Sequence, residues 1–255
     1  MIKYGNWLPK KILYFLSIIL LVSYSITIFA IFNKLLILAI IFIILSLLIT
    51  FITYKSYNMY SAFNYDDNLN SLAWQIIEFV STYVKVKPNQ KILDVGCGSG
   101  ALTILCAKKN TRALVSGFDR WGSEYGEFSK AVCEKNAEEE EVTNISFFKG
   151  DVKNITLEKE SFDFITSNYV FHNIPGNKQE MIINVLSLLK KGGSFAIHDL
   201  FSKQHYGNID ELIEKLREMG FEKVELIDTT KGLAMDEKDA KKYMLTSSKL
   251  LFGKK

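Results

Sequence analysis

The chain has 255 residues, of which 48% are hydrophobic, and a formal net charge of +3 at pH 7. Residues 1–55 contain five lysines and no Asp, Glu or Arg. Removing these five from the 31 basic residues leaves 26 against 28 acidic ones, so residues 56–255 carry a charge of about −2. A domain without excess positive charge is poorly suited to neutralising phosphate backbones, and we expect no nucleic-acid partner.

The cysteine pattern excludes two classes of small stabilised fold. The three cysteines, Cys97, Cys106 and Cys133, are widely spaced and form no Cys-x-x-Cys pair. An odd number at such spacing indicates neither a disulfide framework nor a zinc site. We therefore expect reduced thiols in a cytosolic domain and no bound metal.

Two long uncharged runs open the chain, at residues 12–32 and 35–54, separated by Asn33-Lys34. Crossing a bilayer takes about 20 apolar residues, so these runs predict a transmembrane hairpin spanning residues 12–54. The lysines that flank it place the N-terminus and the remaining domain in the cytoplasm. A cleaved signal peptide would need a small-residue cleavage site before the second run, and two buried core helices would normally show a polar face.

An aromatic stretch, residues 57–65, follows the hairpin. We interpret Tyr57 and Tyr60 as interfacial residues, and Phe63 and Tyr65 as a flap over a ligand site and substrate-pocket candidates. An amphipathic pattern over residues 68–84 predicts a helix that packs on the next domain. The predicted organisation is a membrane hairpin (1–55), a connector with its packing helix (56–90) and an α/β domain (91–255).

Short β-type runs alternate with helical patterns beyond residue 91, which predicts an α/β fold with a mostly parallel sheet. The predicted strands are 91–95, 113–118, 145–149, 162–167, 193–198, 223–228 and 247–252. The predicted helices are 100–109, 125–138, 179–189 and 209–219, the last two ended by Gly192-Gly193 and Gly220. Residues 229–246 provide no convincing crossover, so the last strand is expected to insert antiparallel.

The first of these strands runs directly into three glycines at alternate positions, Gly96, Gly98 and Gly100. Glycine permits a positive φ and a close approach of a ligand to the main chain. The helix that follows presents its first N–H groups to the same place. Because ligands of open parallel sheets bind at the carboxyl ends of the strands, this turn predicts a ligand site.

The glycine spacing alone is compatible with two cofactors. Gly96-x-Gly98-x-x-Ala101, with Asp119 about 20 positions on, satisfies a loose dinucleotide pattern. Asp94 opposes that interpretation, because an acid two residues before the first glycine would repel a pyrophosphate and suits a cationic ligand. Asp151, after the third strand, is placed to accept a hydrogen bond from an exocyclic amine.

In these motifs the sequence resembles the class I S-adenosylmethionine-dependent methyltransferases. Leu-Asp-Val-Gly-Cys-Gly-Ser-Gly at 93–100 matches their first motif, and further matches follow in order at 117–119, 149–152, 162–168 and 188–193. The resemblance covers about residues 70–255. It implies a Rossmann-like, seven-stranded, mostly parallel sheet with an antiparallel last strand, helices on both faces, S-adenosyl-L-methionine as the cofactor, and methyl transfer as the reaction.

The resemblance also implies roles for individual residues. The loop residues Gly96, Cys97, Gly98 and Gly100 would follow the methionyl part of the cofactor, with Asp94 near its ammonium group. Asp119 would bind the ribose hydroxyls, Arg120 or Trp121 would flank the adenine, Asp151 and the N–H of Val152 would bind the adenine edge, and Asn168 would lie at the methyl-transfer end.

His172 is the candidate catalytic base, since it follows the fourth predicted strand at the pocket mouth. Similar Ser-Asn-x-x-x-His runs occur in family members that act on small molecules, including quinone-biosynthesis enzymes. Tyr169, Asp199 and His205-Tyr206 are candidates for lining the substrate pocket, whereas His198, inside a strand, is interpreted as structural.

Three functions remain open at this point. The leading hypothesis is a membrane-anchored methyltransferase with a small-molecule or lipid-like acceptor, the hairpin favouring a lipophilic one. The alternatives are an NAD(P)-dependent oxidoreductase of Rossmann type and a non-catalytic cofactor-binding module. Neither the methyl acceptor nor the oligomeric state follows from these patterns.

Overall fold

The computed structural model describes residues 3–65, 71–122 and 128–255. The chain divides into two compact units, one formed by Gly5–Ala73 and the other by Met1–Tyr4 together with Trp74–Lys255. The predicted helix start at 68–70 and the predicted helix residues 125–127 lie outside the described ranges.

The first unit is a pair of antiparallel helices, α1 (Lys10–Phe32) and α2 (Leu36–Ala62). Lys34 takes a positive φ of 58° in the tight turn between them. Hydroxyl groups join the helices: Ser23 Oγ lies 2.7 Å from Ser46 Oγ, and Tyr24 Oη lies 2.9 Å from Thr50 Oγ1. The helical pair agrees with the predicted hairpin.

The end of α2 differs from the prediction. The helix continues eight residues beyond the predicted end at 54, so most of the aromatic connector is helical. Residues 55–62 contain neither Gly nor Pro, and nothing in their backbone interrupts the ladder. The chain leaves the helix at Phe63, where residues 63–65 turn away.

Both helices are apolar and exposed along most of their length. Their mean hydropathy is 2.4 for α1 and 3.1 for α2, and only 17% of each most apolar window is buried. By length and composition each is able to cross a membrane. Large exposed apolar surfaces of this kind mark contact with a membrane or another protein.

The second unit is an α/β domain. Its strands are β1 (Lys91–Val95), β2 (Leu114–Asp119), β3 (Ile145–Lys149), β4 (Phe162–Asn168), β5 (Leu189–Leu200), β6 (Lys223–Asp228) and β7 (Ser248–Lys254). Its helices are α3 (Leu72–Tyr83), α4 (Ala101–Lys109), α5 (Lys130–Glu139), α6 (Lys178–Leu186), α7 (Lys203–Tyr206), α8 (Ile209–Glu218) and α9 (Glu237–Lys242), with a 3-10 turn at Phe171–Asn173.

The strands form one sheet in the order β3-β2-β1-β4-β5-β7-β6. β1 pairs in parallel with both β2 and β4, and β7 lies antiparallel between β5 and β6. The predicted Rossmann-like, seven-stranded sheet with an antiparallel last strand is confirmed. Strand order reverses between β1 and β4, which is where ligands bind in such sheets.

One predicted helix end is wrong. α6 ends at Leu186, and Gly192 and Gly193 lie inside β5. The C-terminal residue supplies the partner that makes this stretch a strand, since the N–H of Gly192 donates to the carbonyl of Lys255 at 2.6 Å. The second glycine, Gly193, is needed because a larger residue would not fit: its Cβ would lie 2.9 Å from the carbonyl oxygen of Asp163. The start of β5 also moves, from 193 to 189, and α5 begins at Lys130, so that residues 128 and 129 of the predicted helix are not helical. Apart from these and the ends of α2 and α6, the boundaries within the described ranges move by at most two residues.

Buried aromatic side chains anchor the segments that carry the site. Phe171, which opens the 3-10 turn, is fully buried in a core cluster together with Phe195 and Leu186. Ile92 and Leu93 of β1 are also fully buried, immediately before the glycine-rich turn. These buried side chains therefore hold the residues that directly follow β1 and β4 in fixed positions.

Candidate active site

The glycine-rich turn begins at the end of β1. Gly96, Gly98 and Gly100 have φ values of 73°, 56° and 86°, a region that glycine adopts more readily than residues with a side chain. A Cβ on Gly96 would lie 2.3 Å from Cγ2 of Val170, so space as well as conformation requires glycine there. The N–H of Gly96 donates to the carbonyl of Phe118 at 2.7 Å and ties the turn to β2.

Asp94 lies beneath this turn and is 1% exposed. Its Oδ2 accepts a hydrogen bond from Thr103 Oγ1 at 2.6 Å. Burial raises the pKa of Asp94 to about 7, and the negative charge of Asp119 adds to the effect, while the Thr103 hydrogen bond opposes it. A carboxyl group in this state gains from a cation placed beside it.

Asp119 ends β2 and is bonded to the same turn. Its Oδ2 accepts the N–H of Gly98 at 2.8 Å, and its Oδ1 accepts the N–H of Trp121 at 2.8 Å. Trp121 has a positive φ of 44°, and its indole N–H donates to the carbonyl of Gly98 at 2.8 Å. The acid and the aromatic ring are thereby held beside the central glycine, whereas Arg120 is exposed.

The remaining cofactor candidates follow β3 and β4. Asp151 Oδ1 accepts the N–H of Lys153 at 2.9 Å, which closes a local turn. Val152 is 6% exposed and packs in the core. The side chain of Asn168 contacts the buried His198, with 2.8 Å between Oδ1 and Nδ1. The candidates thus follow β1, β2, β3 and β4, whose carboxyl ends form one edge of the sheet, and their binding roles remain predictions.

His172 and Asp199 form a close pair between the 3-10 turn and the end of β5. His172 Nδ1 lies 2.5 Å from Asp199 Oδ1. Asp199 has no exposed surface and also accepts backbone N–H groups from Phe171 at 2.8 Å and from Leu200 at 2.6 Å. The sequence prediction makes Asp199 a pocket-lining candidate; the structure instead buries it and directs it at His172.

The pairing with Asp199 orients the imidazole of His172. The carboxylate of Asp199 favours the tautomer in which Nδ1–H donates a hydrogen bond to it, and that tautomer leaves Nε2 as the acceptor nitrogen. The His172 side chain is 15% exposed, so the ring retains a route to solvent or to a bound molecule. This arrangement is suited to removing a proton.

His198 provides the contrast expected of a structural histidine. It has no exposed surface, and its two ring nitrogens lie 2.8 Å from Asn168 Oδ1 and 2.9 Å from Thr229 Oγ1. Burial lowers the pKa of His198 to about 4. Both nitrogens are engaged and the ring is neutral near pH 7, which agrees with the structural interpretation.

Three further candidates surround His172. The Tyr169 ring lies edge-on to His172 at 6.1 Å, and its hydroxyl contacts Ser248 Oγ at 2.6 Å. The His205 ring lies 5.7 Å from the His172 ring. Tyr206 is 4% exposed, and its hydroxyl has no hydrogen-bond partner within the described parts of the chain. Tyr169 and His205 therefore lie beside the imidazole, whereas Tyr206 packs in the core.

The two candidates from the connector lie in the helical unit. Phe63 and Tyr65 are each 5% exposed. The Phe63 ring stacks on Trp7 at 5.0 Å, and the indole N–H of Trp7 donates to Tyr65 Oη at 3.0 Å. Their contacts join the chain before α1 to the end of α2, and the flap role stays a prediction.

The structure adds Thr103 and Asn136, which the sequence analysis did not single out. Thr103 supplies the hydrogen bond to Asp94, and Asn136 donates to the carbonyl of Ser99 within the glycine-rich turn at 3.1 Å. Neither lies in a recognisable pattern, because Thr103 contacts Asp94 from α4 and Asn136 contacts the turn from α5. Among the described residues, no group of three or more His, Cys, Asp or Glu side chains is arranged to hold a metal ion.

Comparison with known proteins agrees with this geometry. Residues 86–248 match a family described as "Methyltransferase domain". The chain is 31% identical over 150 residues to the ribosomal protein L11 methyltransferase of Acetivibrio thermocellus, covering 59% of this chain and 43% of the relative. It is 30% identical over 119 residues to the ubiquinone biosynthesis O-methyltransferase of Coxiella burnetii, covering 46% of each. The chain thus spans less than half the length of these curated relatives.

A solved structure supports the fold. The [4+2]-cyclase SpnF superposes with a TM-score of 0.57 at 15% identity, over 74% of this chain and 85% of that one. The family match covers most of the chain, and S-adenosyl-L-methionine is the cofactor of that family. The chain belongs to the class I S-adenosylmethionine-dependent methyltransferase domain family.

Proposed function

We propose that the protein is a membrane-anchored methyltransferase that transfers a methyl group from S-adenosyl-L-methionine to a small-molecule or lipid-like acceptor. The observation that carries the proposal is the His172–Asp199 pair, 2.5 Å apart. It stands at the carboxyl ends of β4 and β5, on the same edge of the sheet as the glycine-rich turn after β1. This shared edge supports a site in which the proposed cofactor-binding residues and the proposed base act on one pair of substrates.

The groups around the turn fit the adenosyl sulfonium cofactor. Asp94 is a buried acid with a raised pKa of about 7, which suits the ammonium end of the methionyl part. Asp119, tied to Gly98, is placed to accept hydrogen bonds from the ribose hydroxyls. The turn itself admits a ligand close to its backbone because its glycines lack side chains. Two acids in this region do not suit the pyrophosphate of a dinucleotide.

The bound cofactor supplies an electrophilic methyl group for in-line displacement, so the protein's task is to orient and deprotonate the acceptor. His172 accepts the acceptor's proton at Nε2, while Asp199 holds the ring and stabilises the resulting positive charge. Positioned general bases contribute about 10²–10⁴-fold to such reactions. A base is useful only if the acceptor atom carries a proton, which favours a hydroxyl or amine over a carboxylate.

The apolar hairpin supports membrane anchoring and a lipid-like acceptor. Two exposed apolar helices precede the domain, and lysines flank them on the predicted cytoplasmic side. The name of the Coxiella relative points to an acceptor in quinone biosynthesis. The name of the Acetivibrio relative points to a protein acceptor, which makes a protein the second candidate class.

A non-catalytic or non-methylating role is the alternative with a specific observation behind it. The cyclase SpnF has this fold, so the fold does not dictate methyl transfer. The two functions predict different results with a methyl-labelled cofactor. A methyltransferase moves the labelled methyl group to an acceptor, and a non-methylating protein does not. They also differ in whether His172 is required for turnover.

The test uses the full chain in detergent or native membranes with methyl-labelled S-adenosylmethionine. Lipid extract, soluble metabolites and ribosomal protein are offered separately, and His172→Ala is run beside the wild type. We expect label in the lipid fraction, lost in the variant. Label in the protein fraction would show that the acceptor is a protein and not a lipid. No label in any fraction would contradict a methyltransferase. Release of the chain from membranes by carbonate washing would contradict the two spans.

A further inference from the structure

A buried asparagine on α5 contacts two distant parts of the α/β unit. Asn136 is 1% exposed, and its Nδ2 donates to the carbonyl of Ser99 at 3.1 Å and to the carbonyl of Lys3 at 2.9 Å. Its Oδ1 accepts the N–H of Lys3 at 2.9 Å. One amide thus binds both the glycine-rich turn and the first described residue of the chain.

The turn is bound to α5 through two consecutive carbonyl groups. Ser99 O accepts from Asn136, and Gly98 O accepts the Sγ–H of Cys133, one helical turn earlier, at 3.2 Å. Because a trans peptide directs its carbonyl and its N–H to opposite sides, these bonds also fix where the following N–H groups point. The orientation of the turn therefore depends on α5.

The N-terminal segment is attached to the same helix at a second point. Tyr4 is 3% exposed, and its hydroxyl donates to Glu140 Oε1 at 2.8 Å. Its ring lies edge-on to Trp74 at 5.4 Å. Residues 3 and 4 therefore form a strap, bound to α5 at position 136 and to Glu140, the residue that directly follows α5.

We propose that Asn136 is a positioning residue for S-adenosylmethionine binding, which couples the glycine-rich turn to the strap formed by Lys3 and Tyr4. If the strap detaches, the Asn136 oxygen loses its donor, and its nitrogen keeps only the turn as acceptor. Because binding free energies are reciprocal, cofactor binding then strengthens attachment of the strap, and the attached strap strengthens cofactor binding. The inference rests on the proposed role of the turn in holding the cofactor.

The consequence for the molecule is a second role for its N-terminus. Residues 3 and 4 precede α1 by only a few positions, so the segment that leads into α1 also bonds to the asparagine that holds the glycine-rich turn. A change in the strap is expected to alter cofactor affinity without touching the residues around His172.

The test measures binding of S-adenosylhomocysteine to the full chain in detergent by calorimetry. Losing the Asn136 bonds is expected to weaken binding about tenfold in Asn136→Ala, and Tyr4→Phe, which loses one hydroxyl bond, about two- to threefold. Asn136→Asp retains the acceptor for the Lys3 N–H but cannot donate to Ser99, and is also expected to weaken binding. Asn136→Asp takes the place of Asn136→Ala in the test if the alanine variant does not fold.

Asn144→Ala provides the matched control. Asn144 Nδ2 also donates to three backbone carbonyls, those of Ala107, Asn110 and Ala113, but contacts no part of the turn. We expect this control to lower the melting temperature and leave S-adenosylhomocysteine affinity unchanged. Hydrogen exchange in the N-terminal peptide should slow on ligand addition in the wild type and not in Asn136→Ala.

Two outcomes separate the proposals. Equal loss of melting temperature in the Asn136 and Asn144 variants, with unchanged affinity in both, would make Asn136 merely structural and overturn the coupling. Absence of S-adenosylhomocysteine binding by the wild type would instead overturn the proposed role of the turn, and the coupling with it.

Discussion

The two sides of the sheet's carboxyl edge each contain a buried carboxylate, yet the two groups have opposite surroundings. Asp94, at the end of β1, accepts a hydrogen bond from the neutral hydroxyl of Thr103, and burial raises the pKa of Asp94 to about 7. Asp199, at the end of β5, accepts backbone N–H groups and faces the imidazole of His172. In the proposed function, Asp94 would respond to the ammonium group of the cofactor, and Asp199 would orient His172 as a base.

Under the proposed function, this difference predicts a binding side and a chemical side of the site. Substitutions around β1 and β2 should change cofactor affinity, and substitutions around β4 and β5 should change turnover. The division fails if a residue on one side changes the property assigned to the other. Four measurements test it, from the largest expected effect to the smallest.

The largest effect is expected from His172→Ala. Loss of the base should lower kcat about 10²–10⁴-fold and leave S-adenosylhomocysteine affinity unchanged, because the imidazole acts on the acceptor. Turnover of labelled cofactor and calorimetry measure the two properties separately. Asn173→Ala, at the exposed next position, is the control. A loss of cofactor affinity as large as the loss of kcat would break the division.

Asp119→Ala should act on the binding side. Removing a partly buried acceptor of ribose hydroxyls should weaken S-adenosylhomocysteine binding by about 1–3 kcal/mol. Saturating cofactor should restore most of kcat, since the base is untouched. Asp228→Ala removes an acid at the end of the distant strand β6 and serves as the control. Unchanged affinity in Asp119→Ala would refute the ribose assignment.

The pKa of Asp94 predicts how binding depends on pH. A cationic ligand favours the ionised carboxylate, so S-adenosylhomocysteine affinity should rise between pH 6 and pH 8, by about tenfold, with release of a proton. Calorimetry in two buffers of different ionisation enthalpy detects that proton. Asp94→Asn should bind more weakly at pH 8 and show a flat profile. A wild-type profile as flat as that of the variant would remove Asp94 from the cation site.

The same group affects the stability of the cofactor-free protein. Its pKa is raised from 3.8 to about 7 in the folded state, so the folded chain binds more protons than the unfolded one between these values. The contribution to the free energy of unfolding is therefore present below pH 4 and is lost as the pH rises towards 7.

His198 should show the smallest effect. Its pKa of about 4 means that the ring stays neutral between pH 5 and pH 8, so its NMR signals should not titrate in that range. Because this histidine is harder to protonate when folded, its contribution to stability is present above pH 6.5 and lost as the pH falls towards 4. Titration of His198 near pH 6.5 would show that it is less buried than described.

Much of the fold follows from local patterns. Alternating apolar runs, glycine turns and polar strand ends predict seven strands within two residues in most cases, because periodicity and turn chemistry depend on near neighbours. The start of β5 is the exception, since the pairing of Gly192 with Lys255 lies far along the chain. The length of α2 is another, because no breaker residue marks where its apolar span stops.

The sequence by itself determined the family, the cofactor and the positions of the strand-end acids, because these are encoded in short motifs at set spacings. Only the tertiary structure decided which side chains surround each acid: Thr103 contacts Asp94, and His172 contacts Asp199. Asp199 meets His172 across 27 positions, and Asn136 meets Lys3 across 133. Such contacts depend on strand order and helix packing, so no local pattern contains them.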